Sequence, residues 1–123
     1  QLFEQYLQPI QDRREFELTL EIDDLPSIPP DVQIALYRIT QEALNNIDKH
    51  AQAGHVQVHV AGDAKHITLE ISDDGQGFVL DRIDGTSLGL NIMQERAEEI
   101  GAQVQITTNI GQGTQIRVRW DAQ

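Results

Sequence analysis

Residues 16–22, FELTLEI, alternate strictly: Phe16, Leu18, Leu20 and Ile22 share one side, and Glu17, Thr19 and Glu21 the other. A period of two predicts a half-buried strand. The same alternation returns in HVQVHVA (55–61) and HITLEIS (66–72), with GDAK between them as a hairpin turn. It appears a last time in QVQITT and TQIRVRW, joined by NIGQG. Two stretches follow a helical period instead. From Pro30, suited to a first helical turn, the pattern predicts a helix to about residue 51. On a wheel of roughly 100° per residue, Val32, Leu36, Ile39, Ala43 and Ile47 gather within an arc of roughly 80°. LGLNIMQERAEEIG (88–101) places Leu90, Met93, Ala97 and Ile100 at helical spacing, with Gly101 as its stop. Residues 2–14 read as a further helix or helix pair, interrupted near Pro9. The expected fold is an α+β two-layer sandwich: a mixed, mainly antiparallel sheet of about five strands, covered on one face by about three helices.

Length and composition narrow the class. With 123 residues the chain is the size of one domain, taken as 1–123 with its motif-bearing core at 30–120. It has no cysteine, which excludes disulfides and thiolate metal sites. No apolar run is long enough to span a bilayer and no signal peptide is visible, so the expected location is cytoplasmic, compatible with a domain of a membrane-anchored sensor, without membrane contact by this domain itself. The chain begins abruptly within helix-like sequence, as a fragment of a longer protein would. A formal net charge of −11 disfavours binding to nucleic acid. It leaves room for a small local phosphate site.

Polar groups stand where the pattern calls for apolar ones. Glu42, Asn46, Lys49 and His50 share one side of the long helix, with His50 inside the apolar stripe and Asn46 at its margin. A buried amide without a partner costs about 1–3 kcal/mol, so Asn46 needs a protein group, a water or a ligand. The competing reading is a solvated, fraying helix end. Asp73 continues the face of Ile67, Leu69 and Ile71 and runs into Gly75 and Gly77. A carboxylate there can accept from an amino group in an apolar pocket, while the glycines admit a ligand close to the backbone. The competing reading is a plain DDG turn. Thr114 precedes Ile116, Val118 and Trp120 on one face, which β-propensity alone also explains. Gly85 and Gly89 flank a loop that opens into a helix, whose amides favour phosphate. A flexible connection reads the same way.

The order of these signals is informative. QEALNNIDKHAQA resembles the N box, SDDGQGF the G1 box, GTSLGLNIMQERAEEIGA the G2 box and GQGTQIRVRW the closing strand motif of the ATP-binding catalytic domain of bacterial sensor histidine kinases. That superfamily is shared with gyrase, the heat-shock chaperone ATPases and MutL, and its fold is the Bergerat fold. ALYRITQEALNNIDKHAQA and LGLNIMQERAEEIGA further resemble the subfamily that partners NarL-type response regulators. The resemblance implies that Asn46 coordinates Mg²⁺ and that Lys49 and His50 contact the phosphates. It implies that Asp73 accepts from the adenine amine, with Thr114 supporting it directly or through water. Gly75 and Gly77 give the nucleotide room, and Gly85, Thr86, Ser87, Leu88, Gly89 and Leu90 form the hinge and phosphate-side end of an ATP lid. The residue matching Glu42 is a base or orients Mg²⁺-bound water in much of the superfamily. In the NarL-partnered group the assisting residue usually lies beside the phosphoacceptor histidine. Ser87 stands where glycine is common, and the short gap between DDGQGF and GTSLGL leaves little room for a long lid.

The implied function is binding of Mg·ATP or ADP and donation of the γ-phosphoryl group to a histidine on a separate dimerisation domain, absent here, for relay to a NarL-type regulator. His50, His55, His59 and His66 do not match that acceptor. The alternatives are a serine kinase of the anti-sigma-factor type and a non-catalytic nucleotide-binding adaptor.

Overall fold

The computed structural model describes residues 17–23, 28–47, 54–63, 65–75, 90–109, 111 and 113–122. The elements run β1 (Glu17–Ile22), α1 (Pro30–Asn46), β2 (His55–Gly62), β3 (His66–Asp73), α2 (Leu90–Glu99), β4 (Gln103–Asn109) and β5 (Gly113–Asp121). They form one five-stranded sheet of order β1-β2-β3-β5-β4. β1 pairs parallel with β2, and every other pairing is antiparallel. Two helices, rather than about three, stand among the described residues. The expected helix at 2–14 lies outside them.

The register sorts the sheet into rows. Leu20, Val58, Ile71, Ile116 and Ile106 face each other across all five strands, and Ile22, Val60, Leu69, Val118 and Val104 form the next row. Both rows join the core with Val32, Leu36, Ile39, Ala43, Leu44 and Ile47 of the first helical segment and with Met93 and Ala97 of α2. The predicted stripe of α1 is therefore the buried one. Residues of opposite parity, such as Thr19, Gln57, Gln115, Arg117 and Arg119, are exposed. The helices thus cover one face and leave a polar one, as an amphipathic sheet requires.

The ends of the helices follow from their sequence. Pro30 takes the first turn of α1 without a side-chain cap, and Asp31 places a carboxylate there. Thr40, fully buried in mid-helix, donates its hydroxyl to Leu36 O at 2.8 Å, so its polar atom is satisfied locally. Ile47 keeps helical angles, and the expected continuation to 51 falls outside the described residues. α2 stops at Gly101, whose φ of 71° suits glycine. Gly101 N donates to Glu98 O (3.1 Å) and Ala102 N to Ala97 O (2.8 Å), the paired bonds of a Schellman stop.

Candidate functional site

One further row crosses the core face at the end of the sheet: Leu18, Val56, Asp73, Thr114 and Thr108. It begins apolar at β1 and β2 and turns polar at β3, β5 and β4. Asp73 is only partly exposed, and Thr114 is 9% exposed. The N–H of Gly75 donates to Asp73 Oδ1 at 2.7 Å. Oδ2, by contrast, is buried and has no hydrogen-bond partner among the described residues. Burial pushes the Asp73 carboxyl above its ordinary value, and Asp74 beside it adds to the rise; the amides of Gly75 and Thr114 pull the other way. A buried acceptor left this way costs about 1–3 kcal/mol. It is offset when a ligand brings a donor to Oδ2.

Two backbone devices hold this end of the sheet. Gly113 has φ 84°, and a Cβ there would collide with Asp73 O. Only glycine lets β5 approach so closely while taking that conformation. Asp74 turns outward, where its Oδ1 accepts from the amides of Gly54 (2.9 Å) and His55 (3.0 Å) at the start of β2. Those bonds hold its carboxyl below its ordinary value. Thr108 completes the row. Its hydroxyl lies 3.0 Å from Thr114 Oγ1 and donates to Gly113 O at 3.3 Å.

Asn46 closes α1. Its side chain is partly exposed, but Nδ2 is buried without a partner among the described residues. Which end of an amide is oxygen follows from its partners, so this side chain can present either end to a ligand. Glu42 lies one turn earlier, partly exposed, on the same side of the helix. A third buried atom without a partner among the described residues, Gln33 Oε1, sits at the opposite end of α1, where Gln33 Nε2 donates to Ile28 O (2.8 Å). It is remote in sequence from every candidate residue.

The described residues therefore bring Asp73, Gly75 and Thr114 together and place Glu42 and Asn46 on the last turns of α1. Lys49, His50, Gly77, Gly85, Thr86, Ser87, Leu88 and Gly89 lie outside the described residues, and of Leu90 only the helical backbone is described. Sequence reasoning missed Gly113, Asp74 and Thr108. For Thr108 the signal was present: Val104, Ile106 and Thr108 have one parity, the same apolar-to-polar ending that marked Asp73 and Thr114.

Residues 31–123 match the family described as histidine kinase-, DNA gyrase B- and HSP90-like ATPase. The chain belongs to this ATPase family. The ATPase domain is 36% identical over 107 residues to the sensor histidine kinase LiaS of Bacillus subtilis (strain 168), covering 87% of this chain and 29% of LiaS. It is 38% identical over 99 residues to the sensor protein VraS of Staphylococcus epidermidis, covering 80% of this chain and 28% of VraS. The chain thus spans less than a third of the length of these relatives. Among solved structures, the histidine kinase domain of the Erythrobacter litoralis EL346 blue-light activated histidine kinase superposes with TM-score 0.74 at 18% identity, over 98% of this chain and 57% of that one. Full-length ShkA in complex with AMPPNP gives 0.76 at 24% identity, over 97% and 29%. At these identities the superpositions establish the fold. LiaS is named as a sensor histidine kinase and VraS as a sensor protein, and the matched family is one of ATPases. No helix of the described residues is long and apolar enough to cross a membrane.

Proposed function

We propose that this domain binds Mg·ATP and donates the γ-phosphoryl group to a histidine on a separate dimerisation domain of its parent sensor kinase. The observation that carries the reading is Asp73 Oδ2, buried and without a partner among the described residues, in a row with Thr114 at the end of the sheet where Gly113 lets β5 approach β3 closely. The exocyclic amine of adenine supplies the donor this oxygen lacks. The apolar residues of the same row, Leu18 and Val56, limit water around it.

The donor chemistry of Asn46 fits magnesium, which prefers oxygen ligands and keeps several waters. Asn46 would hold the ion through its amide oxygen, with Lys49 and His50 at the phosphates and Gly77 and Gly85 to Leu90 shaping the space around them. When bound, Mg²⁺ neutralises charge on the phosphates and orients them. Phosphoryl transfer asks little covalent chemistry of the protein; it needs alignment and charge stabilisation. The chain's part is to fix the base through Asp73 and Thr114 and the phosphate end through the last turns of α1. An imidazole nitrogen of the acceptor then forms a bond to the γ-phosphorus as the bond to the β–γ bridging oxygen breaks, ADP leaves, and the acceptor's proton passes to solvent or a nearby base. Glu42, one turn from Asn46, is within the same region of the helix and is assigned a supporting role.

Residues 1–123 act as one domain in this reading, in the cytoplasm, without contact to membrane or nucleic acid. The wording of the helix motifs carries a NarL-type regulator as the downstream partner. The test is titration calorimetry of Mg·ADP and Mg·ATP into the parent and Asp73→Asn, followed by phosphorylation of a full-length protein bearing the acceptor histidine. Binding lost in Asp73→Asn, with transfer to histidine in the full-length protein, supports the assignment. Binding without transfer returns the domain to a nucleotide-sensing adaptor, and transfer to serine of a partner makes it an anti-sigma-type kinase.

A further inference from the structure

We infer that Glu21, Asp23 and His59 form a binding site for one divalent cation of the zinc class, on the face of the sheet opposite the helices. The site uses none of the residues assigned to adenine, phosphate or magnesium, so it stands apart from the nucleotide reading.

Strand parity and register build the cluster. Glu21 and His59 are partners across the parallel β1–β2 ladder. They alternate with Leu20, Ile22, Val58 and Val60, which pack in the core, so they stand on the polar face. The ladder continues one bond past β1, where Asp23 N donates to Val60 O at 2.9 Å. That keeps Asp23 on the face of Glu21, two residues on. One ligand atom from each of the three side chains lies within 4.8 Å of the other two. His59 Nε2 and Asp23 Oδ1 are 3.2 Å apart. Two donors bound to one tetrahedral zinc stand roughly 3.3–3.5 Å apart, given bonds of about 2.0–2.1 Å. The Asp23–His59 pair is therefore already at ligand spacing, and a rotation of the Glu21 side chain closes the set.

Charge supplies the independent argument. Elsewhere on this face carboxylates meet arginine: Glu70 Oε1 lies 3.2 Å from Arg117 Nη2, and Asp121 Oδ1 lies 3.2 Å from Arg119 Nε. Among the described residues no lysine or arginine pairs with Glu21 or Asp23, and the nitrogen beside them is the imidazole of His59. Two carboxylates and one neutral imidazole leave a charge that a divalent ion balances. The imidazole also sets the class. Magnesium and calcium favour shells of oxygen alone, whereas zinc takes His, Asp and Glu together in three-ligand sites with water in the fourth position. The ion uses the Nε2 lone pair, so the ring keeps its proton on Nδ1 and two metal bonds replace the Asp23–His59 hydrogen bond. Among the described residues β1 pairs only with β2. An ion held by both strands ties that edge strand to the sheet.

The test is calorimetric titration of Zn²⁺ alone into chelator-treated protein, for the parent, His59→Gln, Glu21→Gln and the control His66→Gln, whose imidazole also faces an aspartate, Asp63. The parent should bind Zn²⁺, and an excess of Mg²⁺ should not displace it. His59→Gln and Glu21→Gln should each weaken binding by about tenfold or more, and His66→Gln should match the parent. Zn²⁺ should raise the melting temperature of the parent and leave that of His59→Gln unchanged. A parent that takes up no Zn²⁺, binding unchanged in His59→Gln or Glu21→Gln, binding reduced in His66→Gln, or displacement by Mg²⁺ would each overturn the site. Circular dichroism establishes that each variant is folded; if one is not, Asp23→Asn provides the same comparison. None of these outcomes bears on Asp73 or on ADP.

Discussion

Asp73 and Asp74 are consecutive in the chain and opposite in environment. Asp73 points into the core-side row with one oxygen bonded to Gly75 N and the other buried without a partner among the described residues. Asp74 is exposed and clamps the amides of Gly54 and His55 with one oxygen. Burial raises the first carboxyl, and backbone bonds lower the second. Strand parity is the cause: a pleat turns consecutive side chains to opposite faces.

Asp73→Asn should separate stability from binding. A carboxyl whose folded pKa is raised contributes stability at low pH, and loses it as pH rises through the folded value. At neutral pH the parent therefore carries the cost of a half-buried charge, and the amide does not. The ligand-free variant should melt at a higher temperature than the parent. Its oxygen will stay with the Gly75 N–H, which turns the NH₂ toward the position of Oδ2 and sets donor against donor at the adenine amine. Calorimetry should show ADP binding weakened roughly tenfold or more. A variant that binds ADP like the parent makes Asp73 a turn residue.

Asp74→Ala should act through fold alone. A lowered carboxyl gives stability above its unfolded pKa and loses it as pH falls through the folded one. The melting temperature should drop at neutral pH, and the gap to the parent should close in acid, below the ordinary carboxylate range. A gap that persists unchanged at acid pH would show that the clamp to Gly54 and His55 contributes nothing through its charge.

Gly113→Ala and Gly111→Ala distinguish crowding from backbone conformation. Both glycines have positive φ, 84° and 81°. Among the described residues a Cβ at Gly111 meets nothing within 4 Å, whereas at Gly113 it collides with Asp73 O. Gly111→Ala should cost about 1–2 kcal/mol, the left-handed penalty alone. Gly113→Ala should cost more, on the order of 3 kcal/mol, and weaken ADP as well, because β5 must leave β3 where Asp73 and Thr114 meet. Denaturant melts of the two variants provide the comparison; equal costs would count against the close approach.

Asn46→Ala and Asn46→Asp test the phosphate end. In a protein that includes the acceptor histidine, both should lose Mg²⁺-dependent autophosphorylation, the first by removing the oxygen and the second by placing a charge beside phosphates. Binding of adenosine, which has no phosphates, should change less than about two-fold, within the variation typical of such measurements. Parental autophosphorylation by Asn46→Ala would move the adaptor reading ahead.

Much of this was legible in the residues, and the part that was not has a physical reason. Period-two and helical patterns located every described element, because burial of one face leaves its mark on consecutive side chains. Val32, Leu36, Ile39, Ala43 and Ile47 were the buried stripe of the first helix, and Gly101 its expected stop for the second. Asp73 and Thr114 were visible as polar continuations of apolar faces, and the register pairs them. Strand neighbours were not visible. Nothing local tells β5 to insert between β3 and β4, or β1 to run parallel to β2, since those choices depend on contacts between residues distant in the chain. The clamp made by Asp74 was hidden for a related reason: its partners at Gly54 and His55 lie at the other end of the β2–β3 hairpin in sequence.

The graded row from Leu18 to Thr108 has an evolutionary consequence. Its polar members sit at the margin of the sheet, with two wholly apolar rows between them and the far end. On the proposed reading, mutations at Thr114 would retune which base is accepted while Leu20, Val58, Ile71, Ile116 and Ile106 go on supplying the fold. A scaffold arranged in this way can drift in ligand preference without passing through unfolded ancestors, and a laboratory library confined to the marginal row should yield a high fraction of folded members.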